Sequence, residues 1–265
     1  MSLAGRSGSF FSPGVARLYG ERLPPDAVAL IKAAADATDR QYLDVGGGLS
    51  HGLQVYRLAL GLGVDGRVAQ QCGILLDGLQ IAVDMADNLA DAVLDVEQGR
   101  SYQRFYDPIH PDARPALPAL MTGCVVDALY RWFPSPAHDS TRASLRLLQI
   151  LGLMTGGQGL GRDDPLRIDR ISGEQGRIYA LPLWLSTDRS FQAEGRLTAV
   201  EGWGFELGRT WQLQREVVED PGDPRWPALL EQARAQTRAA WPDFPPFVDR
   251  GLFTQSALGF GAHRG

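Results

Sequence analysis

The chain has 265 residues, 44% of them hydrophobic, enough to bury a full core as one large domain or two small ones. Its 26 basic and 31 acidic residues are mixed along the sequence and give a net charge of −5. No extended basic surface is therefore expected, which argues against nucleic acid or anionic lipid as partners.

Lys32 is the only lysine, so lysine-dependent chemistry elsewhere is excluded. Cys72 and Cys124 lie far apart in apolar surroundings, with no Cys/His spacing of a zinc site, and read as buried free thiols. His51, His110, His138 and His263 are scattered and read as surface or structural residues rather than ligands. The first 20 residues lack an uninterrupted apolar core preceded by charge. No apolar run reaches the roughly 18 residues that cross a bilayer, so no membrane span and a cytoplasmic location are expected.

Ala- and Leu-rich segments separated by Pro- or Gly-bearing breaks dominate, and strictly alternating β-branched runs are nearly absent, so the expected fold class is all-α. Residues 1–20 are expected to form a flexible N-terminus. Pro24-Pro25-Asp26 opens a helix to about Asp39, with Ala27, Leu30, Ile31 and Ala34 at amphipathic spacing. Gly46-Gly47-Gly48-Leu49-Ser50 is a loop, followed by a helix to about Leu60. Residues 66–99 form one long helix with Val68, Cys72, Leu75, Leu76, Leu79, Val83 and Leu94 turned inward.

Pro108, Pro111, Pro115 and Pro118 mark a loop leading into a helix that ends near Phe133, before Pro134 and Pro136. Another helix spans about 140–154, residues 162–165 form a polar turn, and helices follow over 171–185 and 193–218. Pro221, Pro224 and Pro227 make a break before a short helix over 229–240. Residues 21–241 are thus expected as a single helical domain, and 242–265, with Pro245, Pro246 and several glycines, as a loosely ordered tail.

Two segments carry chemical information. The first is Met154-Thr155-Gly156-Gly157-Gln158-Gly159-Leu160. The second runs Trp203-Gly204-Phe205-Glu206-Leu207-Gly208-Arg209-Thr210-Trp211-Gln212-Leu213-Gln214-Arg215-Glu216-Val217-Val218-Glu219-Asp220. Together they resemble the second half of the trans-isoprenyl diphosphate synthases, the polyprenyl synthetase family. There a GGQ segment precedes a Lys-Thr pair and a Gly-x-x-Leu-Gly-x-x-Phe-Gln-x-x-Asp-Asp-x-x-Asp helix. The resemblance covers roughly residues 40–220 and is strongest over 150–220.

The resemblance implies an isoprenoid synthase fold, with helices packed around a central cavity. It implies a prenyltransferase joining an allylic diphosphate to isopentenyl diphosphate with Mg²⁺ as cofactor. It also implies assembly as a homodimer, or as a heterodimer with a catalytic synthase. In the family two Asp-Asp-x-x-Asp helices hold the Mg²⁺ ions. Positions i, i+3 and i+4 share a helix face, so carboxylates at that spacing converge on hard cations that prefer oxygen.

This chain departs from that pattern. On the first helix Asp84 keeps the leading aspartate, whereas Met85 and Asn88 replace the second and third. Asp84, Asp87, Asn88 and Asp91 still fall at i, i+3, i+4 and i+7, either a weakened metal face or a solvated acidic stripe. On the second, Arg215 and Glu216 stand where the family has Asp-Asp, and Glu216, Glu219 and Asp220 keep an i, i+3, i+4 carboxylate set. A guanidinium neither coordinates Mg²⁺ nor deprotonates, and an Arg215–Glu219 salt bridge is the simpler reading of these letters.

The basic loop that grips isopentenyl diphosphate in the family aligns with Gly47-Gly48-Leu49-Ser50-His51-Gly52, without its lysine and arginines. Glu174-Gln175 stand at the family's Lys-Thr pair, Arg177 is a partial substitute, and Arg100 is the one arginine left after the first aspartate motif. Arg100, Gln158, Arg177 and Gln212 are accordingly the candidate substrate-binding residues, and the seven acids and amides above the candidate metal ligands. Losing one hydrogen-bonded charge partner costs about 1.5–3 kcal/mol, against roughly 8 kcal/mol in a micromolar complex. Chain elongation is therefore expected to be weak or absent, and a non-catalytic partner subunit or isoprenoid binder is the alternative.

A further alternative comes from Leu43-Asp44-Val45-Gly46-Gly47-Gly48, which looks like the first motif of S-adenosylmethionine-dependent methyltransferases. That reading needs strands alternating with helices, whereas residues 54–60 and 66–99 read as helix.

Overall fold

The computed structural model describes residues 12–29, 31, 51–94, 116–161, 164–188 and 195–240. The described regular elements are helical: α1 (Ser12–Gly20), α2 (His51–Gly61), α3 (Gly66–Leu94), α4 (Ala116–Trp132), α5 (Ser140–Gln158), α6 (an irregular run over 165–184), α7 (Arg196–Glu219) and α8 (Arg225–Ala240). The one β-type pairing among the described residues is an isolated bridge between His138 and Ser186.

Aspartates start four of these helices, each supplying an oxygen to an amide that has no intrahelical acceptor. Asp65 accepts from the backbone N–H of Arg67 and Val68 at 2.9 and 3.2 Å. Asp139 accepts from Arg142 at 3.0 Å, Asp164 from Leu166 at 2.9 Å and Asp223 from Arg225 at 2.9 Å. Gly195 opens α7 at a φ of 71°, a left-handed backbone that glycine adopts without a Cβ penalty.

The chain divides into two compact units, one of Met1–Arg57 with Asp65–Trp132, the other of Leu58–Val64 with Phe133–Gly265. In the first, α1 and α4 pack on α3. Val15, Leu18 and Tyr19 of α1 are buried, and the Tyr19 hydroxyl donates to the Gly78 carbonyl at 2.5 Å. Ser12–Gly20, expected within a flexible terminus, is therefore an anchored helix. Nine residues carry too weak a periodicity to announce it, and burial against α3 supplies the stability that length does not. Leu117, Met121, Val125, Ala128 and Leu129 form the buried stripe of α4. Cys72 and Cys124 are free and buried, as expected, and burial raises both thiol pKa values.

In the second unit, α6 and α7 cross with their backbones in direct contact. A Cβ on Gly204 falls 2.2 Å from the Gly176 carbonyl oxygen, and one on Gly208 falls 1.9 Å from that of Ser172. The i, i+4 glycines thus serve helix approach, the role their spacing suggests. Gly157 packs similarly, its Cβ position lying 2.7 Å from Arg170 Cβ. α8 seals the other side of α7 through buried Leu213, Trp226, Leu230 and Ala233.

The sequence places a helix over 171–185, but α6 begins at Pro165, where Asp164 caps it and proline suits the first turn. It then passes through a π-helical turn at Asp169–Gly173 and a 3₁₀ turn at Arg177–Ala180. Pro182 has no N–H for the Ile178 carbonyl, which accounts for the change of winding there. α5 runs four residues past its expected end, to Gln158, and α8 begins at Arg225 rather than 229. The helix expected over 26–39 is described at residues 25–29 and 31. The remainder of that helix, the 46–50 loop and the 242–265 tail lie outside the described residues.

Candidate functional site

Asp84, Asp87, Asn88 and Asp91 all lie on α3, at positions that share one helical face, and their side chains fall outside the described structure. Arg100 and the glycine loop over 46–50 are outside it as well. Gly52, at the end of that loop, is described: its backbone N–H donates to Asp77 Oδ1 at 2.6 Å. A carboxylate of the chain itself therefore occupies this amide at the start of α2. Asp77 is buried, and His51, the residue before Gly52, has its pKa pushed down to about 4 by burial.

The second carboxylate helix is more fully defined. Glu216 lies on α7 with 5% of its surface exposed. Its Oε1 accepts from Gln212 Nε2 at 2.7 Å, and Gln212 Oε1 accepts from the Ser172 hydroxyl at 3.3 Å. Arg215 is exposed, and the Glu219 side chain lies outside the described structure, so its pairing with Arg215 does too. Asp220 follows the last helical residue with φ −132° and ψ 70°, leaving the helical path on which an i+4 carboxylate shares a face with Glu216.

A divalent cation on α7 needs carboxylate oxygens that converge and room for its remaining water ligands. The described donors do not fit that need: Glu216 is buried and hydrogen-bonded, position 215 is cationic, and Asp220 has left the helix.

Arg177 belongs to a second cluster. Its Nε lies 3.2 Å from Glu174 Oε2, its Nη1 3.9 Å from Glu201 Oε2, and its guanidinium stacks 4.5 Å from the centre of the Phe205 ring. Glu201 also pairs with Arg146 Nη2 at 2.7 Å and accepts from Trp184 Nε1 at 2.8 Å. Glu174, at the position where the resemblance calls for a lysine, thus neutralises the nearby arginine. A parallel group forms one turn along α7, where Arg209 lies 2.7 Å from Asp169 and 2.9 Å from Glu206. Burial raises the Glu206 pKa, and the Arg209 charge opposes that shift. Gln158 is the exposed last residue of α5.

Gln212 and Glu216 are therefore brought together and Arg177 is drawn into a separate network. The sequence reading did not include Glu174, Glu201, Arg146 or Trp184 in any site. Glu174 and Arg177 at i, i+3 were a legible signal; nothing local announces Glu201, 24 residues beyond Arg177.

No protein-family model matches this chain, and no curated protein matches its sequence. Among solved structures, a geranyltransferase from Legionella pneumophila superposes with a TM-score of 0.65 over 94% of this chain and 99% of that one, at 13% identity. The fold is thus the all-α isoprenoid synthase fold that the resemblance implied. The alternating strands required by the methyltransferase alternative do not occur among the described residues. Among those residues no helix is long and apolar enough to cross a membrane.

Proposed function

We propose that this chain binds an isoprenoid diphosphate within its prenyltransferase-like fold and extends it weakly or not at all. The fold likeness to a geranyltransferase supports the binding half of this reading, and the state of charge at the position of the family's lysine supports the weak extension. Glu174 stands there and pairs with Arg177, whose charge Glu201 also compensates. A diphosphate is held by several cations or backbone donors, and here one retained cation is already neutralised by the protein's own carboxylates. Arg215, in a metal-ligand position, points the same way.

The donors described on α7 do not suit Mg²⁺. Any Mg²⁺ dependence is assigned, as part of this proposal, to the Asp84, Asp87, Asn88 and Asp91 positions of α3. The test is incubation of the purified protein with Mg²⁺, labelled isopentenyl diphosphate and geranyl or farnesyl diphosphate. The expected result is no lengthened product while farnesyl diphosphate still raises the melting temperature, as a ligand bound only to the folded state must. Chain growth at the rates ordinary for enzymes, on the order of 1 s⁻¹ or more, overturns the proposal.

A second reading, a partner subunit for an active synthase, is favoured by α5. Leu145 and Leu148, one turn apart, are 64% and 48% exposed, and Gly152 and Gly156 farther along the helix have open space above them. Light scattering of the protein alone and mixed with a catalytic homologue separates a homodimer from a heterodimer, and a monomer in both samples removes this reading.

A further inference from the structure

Glu216, one of the acids at a metal-ligand position of the resemblance on α7, is buried and hydrogen-bonded within the fold. Gly208, Gln212 and Glu216 fall at i, i+4 and i+8, forming one stripe along α7. At its first point the missing side chain of Gly208 admits the Ser172 carbonyl. At its second the Ser172 hydroxyl donates to Gln212 Oε1 at 3.3 Å, which fixes the orientation of that amide and turns its Nε2 donor away from Ser172. At its third that nitrogen donates to Glu216 Oε1 at 2.7 Å. The π-helical turn of α6 is thereby tied to α7 by backbone contact, hydroxyl, amide and carboxylate in sequence.

From this we propose that Glu216 is a positioning residue of the α6–α7 pair and does not ligate a divalent cation. The proposal rests on the isoprenoid-diphosphate reading only for the expectation that a cation belongs on this helix. Three physical features support it. Magnesium ions keep several of their waters, and a carboxylate with 5% of its surface exposed leaves little room for a hydrated ion. The amide hydrogens of Gln212 compete for the lone pairs that a cation requires. The residue before Glu216, Arg215, carries a positive charge.

Mn²⁺ serves as the probe, its free concentration followed by electron paramagnetic resonance with the full chain, alongside thermal melting. Glu216→Gln keeps an oxygen that accepts from Gln212 and removes the charge. It is expected to leave Mn²⁺ affinity unchanged within about twofold, and to melt within about 2 °C of the unaltered chain, since the neutral acceptor replaces the charged one with little net loss. Glu216→Ala removes the acceptor and is expected to melt about 3–8 °C lower, again with unchanged Mn²⁺ affinity.

An unaltered chain that binds no Mn²⁺ at all also agrees with the proposal. A Glu216→Gln protein that binds Mn²⁺ about fivefold or more weakly makes the carboxylate a ligand and overturns it. Melting of Glu216→Gln as low as Glu216→Ala overturns the positioning role. Isoprenoid chain growth, by contrast, defeats the functional reading and leaves both of these measurements interpretable.

Discussion

Replacing Gly208 by alanine sets two effects of known sign against each other. Alanine is favoured over glycine inside a helix by about 1 kcal/mol, so propensity alone raises stability. The new Cβ, however, falls 1.9 Å from the Ser172 carbonyl oxygen, against the 3.4 Å at which ordinary van der Waals contact begins. The two helices must then separate by about 1.5 Å at that point, the difference of those distances. Both groups belong to backbones, so no rotamer change relieves the clash. Overpacking of this kind costs typically 1–3 kcal/mol and occasionally more. Taking about 3 kcal/mol, the net loss is about 2 kcal/mol, a fall in melting temperature of about 4–8 °C for a chain of this size.

Gly202, six residues earlier on the same helix, is the matched control, because nothing lies within 4 Å of its Cβ position. Gly202→Ala is expected to gain the propensity term alone and to melt about 2–4 °C higher. Thermal melting followed by circular dichroism measures both variants. A Gly208→Ala protein that melts at or above Gly202→Ala refutes the direct backbone crossing.

Arg142 donates to the Trp184 carbonyl through Nε at 2.7 Å, and to the Leu183 and Ser186 carbonyls through Nη2 at 3.0 and 2.5 Å. Arg142→Leu leaves the end of α6 without these charged donors and is expected to cost about 3 kcal/mol by urea unfolding; Arg142→Lys should recover only part of that, because an ammonium lacks the fork. His51 is held at a pKa of about 4 against an ordinary 6.5, so the unfolded chain binds more protons between those values. Its contribution to stability is present above about 6.5 and is lost as pH falls towards 4. His51→Gln is expected to flatten the slope of melting temperature against pH across this window, and an unchanged slope contradicts the assignment.

The helical class and most helix positions were legible because period and breakers are local properties. Asp65, Asp139, Asp164 and Asp223 each stand where a helix starts, and Pro134 and Pro136 where one has just ended. α1 was not legible, since its stability comes from Tyr19 and Leu18 seated against Gly78 of α3, a tertiary cause. The winding of α6 was hidden too. The π turn at Asp169–Gly173 belongs to the segment that meets Gly208 of α7, far along the chain. For the site, spacing grouped Glu216 with Glu219 and Asp220, whereas the bond from Gln212 to Glu216 and the meeting of Glu201 with Arg177 come from side-chain orientation and from the crossing of α6 and α7.

The frame and the charges of this protein answer to different constraints, and that difference explains why one follows the resemblance and the other does not. A close helix crossing depends on the absence of side-chain volume, so Gly176, Gly204 and Gly208 are each needed whatever is bound nearby. A diphosphate or metal site depends on charges left unsatisfied by the protein, which cost stability until a ligand arrives. On the proposed function, Glu174 stands at a lysine position of the resemblance, and its pairing with Arg177 at 3.2 Å lessens what that guanidinium offers an anionic ligand. Glu216 follows the same course through Gln212. Each internal pairing stabilises the apo fold, and each reduces what remains for binding. If that exchange is correct, Glu174→Lys should lower the melting temperature of the free protein, through repulsion with Arg177, while increasing the stabilisation produced by inorganic pyrophosphate. A variant that loses stability without any added response to pyrophosphate would show that the charge network serves the fold alone.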